Sequence, residues 1–177
     1  ATFTLTYMVY DQETKDAFVI DPVLNYDAAS SSVSYDQIED IERFVKENKL
    51  NLKYVLETHA HADHLSSSHE MKLRFPDLKI AISENITQVQ DVFKGVFNIN
   101  NLKTDGSQFD LLFKDGETIN IGSLEVKIIN TPGHTPACAS FLIEDSLFTG
   151  DALFMPDYGT GRCDFPAGSA DDLYNSV

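Results

Sequence analysis

A seven-residue segment, Thr58-His59-Ala60-His61-Ala62-Asp63-His64, holds three of the chain's five histidines together with an Asp. It follows Leu52 to Glu57, which reads as a short buried strand, and precedes Leu65 to Phe75, which reads as a helix stopped by Pro76. So polar a loop between two apolar elements points to an α/β architecture in which a strand end delivers ligand-bearing side chains to a sheet edge. Residues two apart in extended backbone face one side, so His59 and His61 are expected to converge on one ion. Asp63 and His64 come as the chain turns into the next helix and are expected to face the same pocket. Neutral imidazole with carboxylate is a ligand set for Zn, Fe, Mn, Ni or Cu. A merely solvated loop is the plainer alternative, but the Ala and Thr neighbours leave little side chain for any other task.

The rest of the chain alternates in the same way. Thr4 to Tyr10 reads as a strand, Gln12 to Lys15 as a turn, and Ala17-Phe18-Val19-Ile20 as a second strand ending at Asp21-Pro22. Ser34 with Gln37 has the spacing of a capping box. Beyond it Ile38, Ile41, Phe44 and Val45 share one helical face, which predicts a helix to about Lys49. Leu78 to Ile82 reads as a further strand, and Asp91 to Gln108 as a helix end plus an exposed loop. From Leu111 the pattern is β: Leu111-Leu112-Phe113, the Asp115-Gly116 turn and Thr118 to Ile121 predict a hairpin. Leu124 to Ile129, Cys138 to Ile143 and Ser146 to Phe148 follow as strands.

Three more polar clusters stand just past strand ends. Thr131-Pro132-Gly133-His134-Thr135-Pro136 is a rigid turn that pre-positions one His. Phe148-Thr149-Gly150-Asp151 places an Asp after a strand, with a Gly that allows close backbone approach. Gly161-Arg162-Cys163-Asp164-Phe165 sets Arg beside Asp; taken alone it is a surface ion pair of little energetic weight. Cys138 opens an apolar strand and reads as core, while Cys163 has a basic neighbour. No G-x-S-x-G elbow, G-x-x-x-x-G-K-[ST] loop or G-x-G-x-x-G motif occurs, which disfavours a serine triad and the two phosphate cradles.

The length of 177 residues suits one domain, 1–177, with an ordinary core. A formal charge of −15 repels phosphate backbones and anionic lipid, so nucleic acid and membrane surfaces are poor partners. Two cysteines fit a reducing compartment, and no basic n-region opens the chain; a soluble intracellular protein is expected. The missing initiator Met and the end inside a starting helix suggest a processed or shortened chain.

In this order, H-x-H-x-D-H at 59–64, T-P-G-H-T at 131–135 and T-G-D at 149–151 resemble the metallo-β-lactamase superfamily. The resemblance spans most of the chain and implies an αβ/βα sandwich with its metal site at one edge. Within the superfamily the chain looks most like the persulfide dioxygenases. His59 to Leu65, Thr131 to Pro136, the Gly161 to Phe165 segment, Ile20 to Leu24 and Leu56-Glu57-Thr58 carry that likeness. The resemblance implies one Fe(II) per chain, held by His59, His134 and Asp151, with open positions for substrate and O2. His61, Asp63 and His64 would then hold ligand tautomers and a water network, while Arg162 and Asp164 would form a partly buried pair supporting the site behind Asp151. The implied reaction takes glutathione persulfide, O2 and water to glutathione and sulfite. The family usually carries a further Gly-His-Asp segment, which this chain lacks, so the sandwich is expected to be incomplete at its C-terminal part. A homodimer, a fused rhodanese-type domain outside this chain, and residence in a bacterial cytoplasm or a mitochondrial matrix are all compatible with the likeness.

Two other readings compete. In a dinuclear zinc hydrolase of glyoxalase II type, His59, His61 and His134 hold one ion, Asp63 and His64 the other, and Asp151 bridges two Zn. In the third, the chain is a metal-binding or interaction module without turnover.

Overall fold

A computed structural model describes residues 4–177. The described residues divide into two compact units, one of residues 4–57, 61–80 and 120–124, the other of 58–60, 81–119 and 125–177. Among the described residues strands and three α-helices alternate, then strands follow and a fourth α-helix ends the order, the mixed α/β layout expected from the apolar runs.

In the first unit, β1 (Tyr7–Tyr10) pairs antiparallel with β2 (Asp16–Ile20), Tyr7 opposite Ile20 and Tyr10 opposite Ala17. Asp11 makes the turn between them, its Oδ1 accepting the amides of Glu13 and Thr14. Its Oδ2 accepts both the amide and the hydroxyl of Ser123. Four donors on one carboxylate, those of Ser123 foremost, hold Asp11 below the ordinary carboxylate range. After β3 (Val23–Asp27) and β4 (Ser32–Ser34), α1 (Asp36–Glu47) leads into β5 (Asn51–Leu56), which lies parallel to β2. The spacing of Ile38, Ile41 and Val45 turns one helix face inward, onto Ala17 and Val19 of β2 and Leu52 and Val55 of β5. Fully burying a side chain such as Ile38 contributes about 1.5–3 kcal/mol relative to leaving it in water.

Two expectations fail here. The capping box does not form because α1 begins at Asp36, which makes Gln37 its second residue rather than its third. The Gln37 side chain instead accepts the amide of Val23 in β3, and the Ser34 hydroxyl donates to Asp36. The helix expected from Leu65 starts late, because Leu65 and Ser66 form β6 against β3. The helix proper, α2 (Ser68–Arg74), stops where Phe75, the residue before Pro76, leaves the helical region at φ −123° and ψ 83°.

In the second unit, residues 81–83 of β7 (Lys79–Ser83) pair in parallel with β8 (Leu111–Phe113), and α3 (Ile86–Val96) lies between them in sequence. Ile82, Ile86, Val89 and Ala137 form one buried apolar cluster there, with Phe93, Phe109 and Leu112 packed around. β9 (Thr118–Ile121) follows, then an antiparallel run of β10 (Leu124–Asn130), β11 (Ala139–Ile143) and β12 (Ser146–Phe148). Val126 and Ile128 alternate inward along β10 as a one-faced strand requires. The expected β8–β9 hairpin is absent. Past the Asp115-Gly116 turn, Gly116 donates to the Ile128 carbonyl and Ile128 to that of Glu117, so the chain runs beside β10 while β8 keeps β7. A 3₁₀ turn (Gly150–Ala152) and α4 (Ala170–Ser176) complete the unit. Among the described residues no helix is long and apolar enough to cross a membrane.

Candidate metal centre

Three side chains of the second unit meet at the strand ends. His59 lies in residues 58–60, which are tied to β11 by a bond from the Ala139 amide to the Thr58 carbonyl, 2.9 Å. His134 stands in the turn after β10, and Asp151 in the 3₁₀ turn after β12. Asp151 Oδ2 is 3.5 Å from His134 Nε2 and 3.9 Å from His59 Nε2, and the two rings stand edge to face at 5.1 Å. The His side chains are 1% and 7% exposed but that of Asp151 is 35%, so the group is walled by imidazoles and open at its carboxylate.

Main chain and hydroxyls fix both imidazoles. His134 Nδ1 is 2.6 Å from the Arg162 carbonyl, to which it donates, which leaves Nε2 bare and aimed at Asp151. His59 Nδ1 is hydrogen-bonded to the Thr58 hydroxyl at 3.0 Å. This hydrogen-bonded outer nitrogen is how metal-ligating imidazoles are held. The Phe165 ring packs edge-on against His134 at 5.1 Å.

Two glycines make the approach. Gly150 has φ +51°, and a Cβ there would overlap the Thr58 hydroxyl. Gly133 has φ +139°, and its Cβ would enter the backbone of Leu173 in α4. That helix is fastened to the same turn: Ser169 donates its amide to the Gly133 carbonyl and Ser176 its hydroxyl to that of Pro132, each at 2.8 Å.

Arg162 and Asp164 do pair, at 2.6 Å, but their side chains are 63% and 73% exposed. The partly buried pair expected of them is a solvated surface bridge. The guanidinium lies over the Phe165 ring at 4.7 Å, and what residue 162 gives His134 is its carbonyl oxygen. The reading of Cys138 as core holds.

His61, Asp63 and His64 lie in the first unit. Bends at Thr58, His59 and residues 62–64 interrupt the extended backbone expected of this segment. His61 Nε2 instead faces Asp21 Oδ1 at 3.3 Å and Glu57 Oε2 at 3.4 Å. Burial disfavours charge on His61, but the two carboxylates outweigh it and lift the imidazole to about 10. Glu57 is pushed up by burial yet comes out below its usual value, through His61, Ser66 and Ser68. The His64 ring lies 4.3 Å from that of His61, and His64 Nδ1 is 3.2 Å from Asp63 Oδ1. Sequence reasoning gave Asp21 and Glu57 no role in a cluster. A signal was available: each directly follows the buried apolar run of a strand, and those strands, β2 and β5, are parallel neighbours.

A family model of the metallo-beta-lactamase superfamily matches residues 1–177. The chain is 49% identical over 172 residues to Glyoxylase B2 of Dictyostelium discoideum, covering 96% of this chain and 59% of that protein. It is 34% identical over 176 residues to the mitochondrial persulfide dioxygenase ETHE1 of Homo sapiens, covering 98% and 57%. Among solved structures, ETHE1 from Myxococcus xanthus superposes with a TM-score of 0.73 at 32% identity, over 97% of this chain and 61% of that one. The chain thus spans about three-fifths of the length of these relatives.

Proposed function

Because the chain belongs to the metallo-β-lactamase superfamily, we propose that His59, His134 and Asp151 hold one Fe(II) and that the chain carries the catalytic site of a persulfide dioxygenase. One observation carries the reading: two imidazole nitrogens with their outer nitrogens tied, and one carboxylate oxygen, face each other in a single group. Two histidines and a carboxylate on one side of an ion are the ligand set that leaves positions open for O2 and substrate. The likeness to the two proteins named ETHE1 supports this choice. The proposed substrate is glutathione persulfide, which with O2 and water gives glutathione and sulfite.

Iron held by His59, His134 and Asp151 would supply the one-electron chemistry that the spin-forbidden reaction of a persulfide with ground-state O2 needs. The remaining work belongs to the chain. The Arg162 carbonyl keeps the proton of His134 on Nδ1, so its Nε2 stays available, and the Thr58 hydroxyl orients the His59 ring through its Nδ1. Phe165 and the buried ring of His59 exclude water from two sides, and the exposed edge of Asp151 is the side from which substrate enters.

The second reading is a dinuclear zinc hydrolase, favoured by the name of the Dictyostelium relative. It needs His61 as a ligand, and what Asp21 and Glu57 occupy is the Nε2 of that ring. Elemental analysis of protein produced without added metal, with persulfide-dependent O2 uptake, separates the two. The dioxygenase predicts about one iron per chain and loss of both iron and uptake in His134→Ala. Two zinc per chain with thioester hydrolysis and no O2 uptake would establish the hydrolase instead.

A further inference from the structure

Asp21, Glu57 and His61 form a cluster that the proposed iron site does not use. All three side chains are more than nine-tenths buried. Glu57 spends one oxygen, Oε1, on the hydroxyls of Ser66 and Ser68. Its other oxygen, Oε2, is buried, accepts no hydrogen bond, and points at His61 Nε2. A buried carboxylate oxygen without a donor is costly, so its retention calls for a positive charge at that spot.

A proton on His61 answers that need poorly. Nε2 carries at most one hydrogen, yet two carboxylates converge on it at 3.3 and 3.4 Å, both longer than the usual ~2.7–2.9 Å of a charge-assisted bond. A divalent cation resolves that difficulty. An ion held tetrahedrally by N and O donors at about 2.0–2.1 Å sets its ligand atoms about 3.3–3.4 Å apart. Those are the separations found here between Nε2 and each carboxylate oxygen. Two carboxylates, one neutral imidazole and a divalent ion sum to no net charge.

We infer that Asp21, Glu57 and His61 form a second, separate site for a divalent first-row cation, with zinc the best fit to its donors. It goes beyond the iron reading and does not depend on it. Its neighbours are structural: the Asp21 amide donates to the Leu56 carbonyl, and Thr6 donates its hydroxyl to the carbonyl of Asp21. The ion would therefore pin the ends of the parallel strands β2 and β5 to the loop that carries His61.

The test is titration of metal-free His134→Ala protein with Zn²⁺, followed by calorimetry, so that the proposed iron ligand set is disabled. One zinc equivalent is expected to bind, and to be weakened at least 100-fold when Glu57→Gln or Asp21→Asn is added. Absence of that equivalent in His134→Ala, or its survival unchanged in both double variants, overturns the inference. Should the doubles fail to fold by circular dichroism, anomalous diffraction from wild-type crystals grown with Zn²⁺ decides. A peak among Asp21, Glu57 and His61 supports the site, and its absence overturns it. Neither result bears on iron content or O2 uptake, which test the dioxygenase reading by themselves.

Discussion

Gly150→Ala tests how tightly the backbone must pass beside the candidate metal centre. Two separate costs arise. At φ +51° an L-residue sits in the left-handed region, which costs about 1–2 kcal/mol. The new Cβ would also lie 2.7 Å from Thr58 Cβ and closer still to its hydroxyl, well inside any normal contact. Accommodating an extra carbon in packed surroundings costs about 1–3 kcal/mol. Together these give about 2–5 kcal/mol, or a fall in melting temperature of about 4–20 °C for a chain of this size. Gly116→Ala is the internal control, since Gly116 has φ +72° but nothing within 4 Å of its Cβ. It pays only the first cost, so Gly150→Ala should melt lower than Gly116→Ala by at least about 2 °C. Displacing the Thr58 hydroxyl also frees the outer nitrogen of His59, so iron affinity should fall about 10–100-fold in Gly150→Ala alone. Thermal melts with iron analysis on both variants read this directly. Equal melting temperatures, or full iron affinity in Gly150→Ala, would refute the argument.

Arg162→Ala should leave iron content intact and shift the melting temperature by no more than about 2 °C, because an exposed pair contributes little and the carbonyl that holds His134 survives. Substantial iron loss would show that the guanidinium over Phe165 matters to the site. Asp11→Asn should lower the melting temperature at pH 7, since an amide nitrogen cannot accept the bonds that one of the two oxygens receives. The Asp11 carboxyl is depressed on folding, so its stabilisation is present above the unfolded value of about 3.9 and is lost as pH falls toward the folded one. The gap between the two proteins in melts at successive pH values should therefore close below about pH 4; a constant gap would remove Asp11 from the acid response.

The apolar runs were readable because burial leaves few alternatives for Ala17 to Ile20 or for Leu52 to Leu56, and both became strands. The polar segments holding His59, His134 and Asp151 were readable for a related reason, each standing just past the end of a strand, while joining the three into one ligand set came from the family resemblance. Local rules failed where a distant partner won. The Asp115-Gly116 turn looked like a hairpin until β8 paired with β7. Gln37 looked like a capping residue until Val23 claimed its side chain. α3 was under-read, although Ile86, Val89 and Phe93 already carried its spacing. The role of residue 162 had no signal in the sequence at all, since a carbonyl oxygen belongs to every residue type.

The fastening of α4 to the His134 turn makes that helix and the metal thermodynamically reciprocal. Leu173 is 4% exposed, against the glycine beside His134, and a seven-residue helix has no stability of its own in water. If undocking α4 loosens His134, then whatever favours the bound ion favours the docked helix by the same free energy. At a free metal concentration of 100 times Kd the gain is about 2.7 kcal/mol, which would slow amide exchange in α4 about 100-fold. The tail of the chain then serves as a gauge of occupancy, readable by hydrogen exchange without any substrate present.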